Sequence, residues 1–288
     1  MTARLSPMVA ALLGVTVIAL GGLAWLASER RLQSGLGASQ RLLEDLLQES
    51  PPPAPPVSRP APKPPQALRW EAPLEGRCPP VDPGMELRLL AMADTLPQRI
   101  RRIPTDPTNF GERYNRDAFG NPIDPSPRLI VLHETVYGMQ SAIQTFLTPH
   151  PRDEDQVSYH TLVGGDGEIV QVLDASKRAF GAGNSAFQGE WAITNPKVGG
   201  SINNFALHLS LETPLDGEHN GPEHSGYTEA QYDAMALVLA DWMQRFQIPW
   251  QRITTHRHVD LGGERADPRS LDWQALRQRL IALGTVSC

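Results

Sequence analysis

The sequence predicts an α/β (α+β) domain with a central mixed β-sheet flanked by helices, placed behind an N-terminal transmembrane helix. Three observations predict it. From Leu129 onward, short apolar stretches with strand periodicity are separated by turn signals. Two helical patterns follow late in the chain, interleaved with those strands, which calls for a layered sheet-and-helix domain. At the other end, Pro7 to Ala27 runs for 21 residues without a charge.

That uncharged run is long enough to cross a bilayer core of about 30 Å at about 1.5 Å per residue. A cleaved signal peptide is the alternative, with Gly22 and Ala24 as small residues before a cut. Residues 1–31 are thus expected to be an anchor or signal segment, with the bulk of the protein on the extracytoplasmic side of the membrane. If the segment is cleaved, the protein is secreted. In 32–67, Leu42, Leu43, Leu46 and Leu47 fall on one helical face, a short amphipathic turn. Nine prolines then crowd residues 51 to 65. Such a run keeps no helix or sheet ladder and predicts an extended spacer of roughly 45 Å. Residues 68–127 give no regular pattern and are expected to be an irregular lead-in, rich in Pro, Asn and Gly.

The folded domain is expected over 128–288. In "RLIVLHET", Leu129 to His133 has the pattern of a strand buried on both faces and ending in a histidine. "SAIQTFL" has helical spacing, and "VSYHTLVGGDGEIVQVL" predicts a hairpin around Asp166-Gly167. "NFALHLSLE" alternates, with Phe205, Leu207, Leu209 and Leu211 on a core face and Ala206, His208, Ser210 and Glu212 on a polar one. Thr228 and Gln231 form a capping box for a long helix that ends before Pro249. A last helix from Trp273 to Leu283 stops at Gly284.

Composition narrows the function. The net charge is −6 and no block of Lys or Arg occurs, which excludes nucleic acid as a partner. Cys78 and Cys288 are the only cysteines, too few for a cysteine-type zinc module, though they suffice for one disulfide outside the cytoplasm. Ligand-type side chains concentrate instead in "TTHRHVDLGGERADP", residues 254–268. With His133 at the end of its strand, His256 (or His258) and Asp267 make a three-ligand set of the kind that holds catalytic zinc and leaves a fourth position open. The helical HExxH motif is absent, since Tyr137 stands where its second histidine belongs.

The stretches "IVLHET", "VSYHTLVGGDGEIVQVLDASKRAFGAG" and "THRHVDLGGERADPRSLDW" resemble the zinc-dependent N-acetylmuramoyl-L-alanine amidases, which share a fold with peptidoglycan recognition proteins and amidase-type phage lysozymes. The resemblance covers roughly residues 125 to 285. It implies a Zn2+ site of His133, His256 and Asp267, and hydrolysis of the amide between N-acetylmuramic acid and L-alanine in peptidoglycan. Zinc would polarise the carbonyl and lower the pKa of a bound water from about 16 towards roughly 7. The resemblance places Tyr159 as a proton-handling group on the second strand and Arg265 at the family's lysine position. Arginine keeps the charge that steadies an oxyanion and gives up proton exchange. Ser210 stands at the family's glutamate position, with Glu212 two residues on as a further candidate for guiding water. The family's Trp-His-Ala-Gly stretch is Phe180-Gly181-Ala182-Gly183 here, so a histidine is missing. These substitutions leave an alternative of another class: a peptidoglycan-binding module without catalysis.

Overall fold

A computed structural model describes residues 58–66, 69–74 and 79–287 of the chain. The expected membrane helix, the amphipathic turn, Cys78 and Cys288 lie outside the described residues. Among the described residues, no helix is long and apolar enough to cross a membrane.

The lead-in is more regular than its composition suggests. Asp82 accepts a hydrogen bond from the Met85 amide and caps α1 (Pro83–Ala93), whose first residue is a proline, the one residue that sacrifices no helix bond there. A short turn of helix, α2 (Leu96–Arg99), leads into β1 (Ile100–Arg102), an edge strand of the main sheet. Then come β2 (Phe110–Glu112), β3 (Leu129–Glu134), α3 (Met139–Leu147), β4 (Thr161–Val163), β5 (Ile169–Gln171) and β6 (Lys177–Ala179). After the hairpin strands β7 (Ala192–Asn195) and β8 (Gly199–Ser201) follow β9 (Ala206–Leu211), α4 (Glu229–Phe246), β10 (Ile253–Thr255), the single turn α5 (His256–Val259) and α6 (Trp273–Ala282).

The main sheet has six strands in the order β1-β5-β4-β9-β3-β10. β4, β9, β3 and β10 run parallel to one another, while β4 and β5 form the expected antiparallel hairpin. Gly167 supplies the positive φ of +85° that its turn requires. The capping box of α4 is complete: Thr228 accepts from the Gln231 amide while the Gln231 side chain accepts from the Thr228 amide.

Helices α4 and α6 cover one face of the sheet, where Ile130, Leu132, Leu207, Leu209 and Ile253 pack with Met235, Leu239, Leu276 and Leu280. Each such side chain contributes roughly 1.5–3 kcal/mol by leaving water. On the other face Leu129, Val131 and Ala206 meet Phe187, Ile202, Phe205 and Val259, and α3 covers Leu162 and Val170 through Ile143 and Phe146. Both faces of β9 are therefore buried, which corrects the expected division into a core face and a polar one: His208 and Ser210 are fully enclosed.

The last part of the proline run also differs from expectation. The Arg59 amide donates to Phe119 O at 3.0 Å, Asn121 Nδ2 donates to Arg59 O at 2.9 Å, and Trp191 Nε1 donates to Pro62 O at 3.4 Å. From Ser58 onward these prolines lie on the domain rather than spanning away from it. A proline-rich segment suits this, because its missing amide donors leave its carbonyls free to be bonded from one side.

Candidate metal centre

Strand register assembles the centre. β3 and β10 pair in parallel with Thr255 opposite Leu132, so the next residue of each strand, His256 and His133, come level at the same end of the sheet. Thr255 accepts from the His258 amide and turns the chain into α5, directing His256 inward. Asp267 is returned to the same place by its own carbonyl, which accepts from the Arg257 amide at 2.9 Å. His133, His256 and Asp267 offer ligand atoms that all lie within 4.8 Å of one another.

Both histidines present Nδ1 to the carboxylate: His133 at 3.3 Å and His256 at 3.0 Å. Burial pushes the His133 imidazole down to about 4, against the opposing pull of Asp267. The ring is thus neutral at physiological pH, the state a metal requires. Burial acts to raise the Asp267 carboxyl, but hydrogen bonds from His133 and His256 outweigh it and hold the group well below the usual carboxylate range. A neutral His133 and an ionised acid, converging with His256 and largely enclosed, fit a divalent ion of the zinc type. His258 does not join them. Its ring packs on Trp70 at 4.4 Å and faces Phe187 at 6.4 Å, which decides between the two histidines in favour of His256.

Tyr159, just before β4, stacks on His133 with ring centroids 4.4 Å apart. Burial and the negative charge of Asp267 raise its hydroxyl above the ordinary phenol range, so it is a proton donor rather than a phenolate. Arg265 is exposed on the loop that Asp260 shapes by accepting from the Arg265 amide, and its charge bears on both His133 and Tyr159. Glu212 has a different occupation from the one expected. Its Oε1 accepts from the Met139 amide and its Oε2 from the Gly165 amide, each at 2.7 Å. Both oxygens thus clamp the start of α3 to the β4–β5 turn. Ser210 lies level with His133 across the β3–β9 pair, and its buried hydroxyl has no partner among the described residues.

Two groups around the centre escaped sequence reasoning. His208 reaches His133 Nε2 with its Nδ1 at 2.9 Å. Glu134, directly after the ligand, is buried and accepts from Arg269 Nε, the Arg269 amide, His224 Nε2 and Tyr227 OH. An acid following the strand histidine and an arginine after Asp-Pro were visible in the chain, but only the fold makes them a pair.

Parallel strands that deliver a His, His, Asp centre to one sheet end, with a phenol and an arginine beside it, define a hydrolase built around a metal-type site. Residues 123–270, just over half of the chain, match the family model described as N-acetylmuramoyl-L-alanine amidase, and the chain belongs to that family. It is 32% identical over 179 residues to 1,6-anhydro-N-acetylmuramyl-L-alanine amidase AmpD of Citrobacter freundii, covering 62% of this chain and 76% of the relative. With the AmpD of Escherichia coli it shares 32% over 124 residues, 42% of this chain and 57% of the relative. Among solved structures, a selenomethionine derivative of AmpD is 25% identical with a TM-score of 0.48, covering 63% of this chain and 94% of that one. The chain is an N-acetylmuramoyl-L-alanine amidase, a hydrolase of peptidoglycan or muropeptides, which sets aside the binding-only alternative.

Proposed function

We propose that this amidase uses zinc to cut the bond between the lactyl group of N-acetylmuramic acid and L-alanine, tethered by its uncharged N-terminal segment to the outer face of the cytoplasmic membrane. The observation that carries the zinc reading is the convergence of His133, His256 and Asp267 within 4.8 Å. Zinc held there would supply Lewis acidity to the scissile carbonyl and to the attacking water. Tyr159, protonated and stacked on His133, hands a hydrogen bond to the oxygen or nitrogen that gains charge. Arg265 supplies a fixed positive charge for the tetrahedral oxyanion and takes no proton from it. Enclosure of His133 and partial enclosure of Asp267 strengthen the interactions made at the metal by excluding solvent.

The tether follows from 21 uncharged residues before the domain and from the substrate, a polymer beyond the membrane that does not diffuse to a distant enzyme. In this reading residues 1–31 are the anchor and residues 32–67 join it to the rest of the chain. The test uses the full chain in detergent. Expected are one bound zinc per chain and, by mass spectrometry, release of peptides beginning with L-alanine from muropeptides. Bound zinc with cleavage at another amide would refute the bond assignment. A zinc-free active protein would refute the metal. Recovery of the protein in the soluble fraction of its source cells, with residues 1–31 intact, would refute the tether.

A further inference from the structure

His208 lies in the middle of β9, fully buried, on the same sheet face as His133 of the neighbouring parallel strand. The register sets Val131 opposite His208 and Ser210 opposite His133, so the two imidazoles meet on the diagonal of one strand pair. They are joined by the 2.9 Å contact between His133 Nε2 and His208 Nδ1. His133 Nδ1 faces Asp267. Whenever that nitrogen offers its lone pair to a metal, the ring proton must be on Nε2, and His208 Nδ1 becomes its acceptor.

This forces the proton of neutral His208 onto its own Nε2, a buried atom with no partner among the described residues. An unpaired buried N–H is costly. In the metal-loaded protein the return on that cost is an acceptor aimed at His133. The surroundings hold His208 in place: its backbone amide donates to His160 Nδ1 at 3.0 Å, its ring lies parallel to that of His160 at 5.8 Å, and His160 Nε2 contacts Lys177 O at 3.2 Å. Room for the ring comes from Gly181, where a Cβ would stand 2.4 Å from His208 Nδ1.

We propose that His208 is a positioning residue of the metal centre: by accepting the His133 ring proton it fixes the tautomer and the angle at which Nδ1 meets zinc, and Gly181 is the glycine that admits it. The proposal rests on the zinc reading above, and its test separates the two. Zinc affinity is measured by competition with a chromogenic chelator in the full-length protein and in His208→Leu and His208→Asn. These variants match in shape, but only Asn can place an acceptor oxygen near the site of Nδ1. The Leu variant is expected to bind zinc roughly 10–100-fold more weakly than the unmodified protein, with Asn recovering most of that loss and the zinc-free forms of both melting together. Equal affinity in the Leu variant, or equal weakening in both, would overturn the positioning role. No zinc binding by the unmodified protein would overturn the metal reading instead. Should neither variant fold, magnetic resonance of the zinc-loaded unmodified protein, isotopically labelled at histidine, decides. A scalar coupling across the His133–His208 hydrogen bond is expected, and its absence defeats the proposal.

Discussion

Arg265 and Tyr159 flank the same centre with different obligations, and their substitutions should separate. Arg265 is exposed and ligates nothing, so Arg265→Ala should leave zinc content unchanged while kcat falls roughly 10²–10³-fold, the usual cost of one oxyanion partner. Arg265→Lys should restore much of the rate, because charge rather than fork geometry is what the loop presents. Tyr159→Phe keeps the ring stacked on His133 and removes only the hydroxyl. Turnover should drop roughly 10²-fold or more with metal retained. Steady-state kinetics beside metal analysis checks both, and full activity in either variant contradicts its role. At this scale His133, His256 and Asp267 were legible because each falls in a recognisable stretch in the proper order. His208 was not, because a histidine on an alternating strand looks like any polar residue until the register with β3 is known. The histidine missing at Gly181 in the sequence is answered in space by one from β9, which fills the volume that a side chain at 181 would take.

The loop between β9 and α4 is held to the end of β3 by Arg269, alongside His224 and Tyr227, which also bond Glu134. Arg269 Nη2 donates to Gly217 O at 2.6 Å, and its Nη1 to His219 O at 2.8 Å and Gly221 O at 2.9 Å, while its Nε pairs with the buried Glu134. Removing the guanidinium takes the cationic partner from a buried carboxylate and frees three carbonyls. Arg269→Ala should therefore cost roughly 3–5 kcal/mol in denaturant unfolding, and amide exchange should quicken over 215–225 before it does in α4. Uniform exchange across the domain would show that the arginine staples no separate unit. The main elements themselves were largely legible. β3, the β4–β5 hairpin, α4 with its capping box and α6 ending before Gly284 all follow from local pattern. α1 and β1 escaped for different reasons. The cap signal Asp82-Pro83 was masked by the surrounding prolines and glycines, and a three-residue edge strand gains its identity only from pairing with β5. The two backbone amides that Glu212 accepts from were not legible, because strand alternation gives the face but not the neighbour.

The protein as a whole carries a set of interior histidines that should make it sensitive to mild acid. Burial pushes His133 down to about 4 and His160 to about 3, and holds His208 well below the ordinary value. On unfolding each returns to a pKa of about 6.5. Between pH 6.5 and 4 the unfolded chain therefore binds more protons than the folded one, so stability falls as pH drops through that window. The loss begins well before carboxylates such as Asp267 titrate, which distinguishes it from ordinary acid unfolding. Zinc sharpens the effect, since protons compete with it for His133 and His256. The melting temperature of the chelator-treated protein is expected to decline from pH 7.5 to 5, and the increment that added zinc confers should shrink over the same interval. A zinc-free protein whose melting temperature stays flat across that range would mean that these rings are not neutral and enclosed in solution. The sheet interior on which the metal centre is built would then have to be reconsidered.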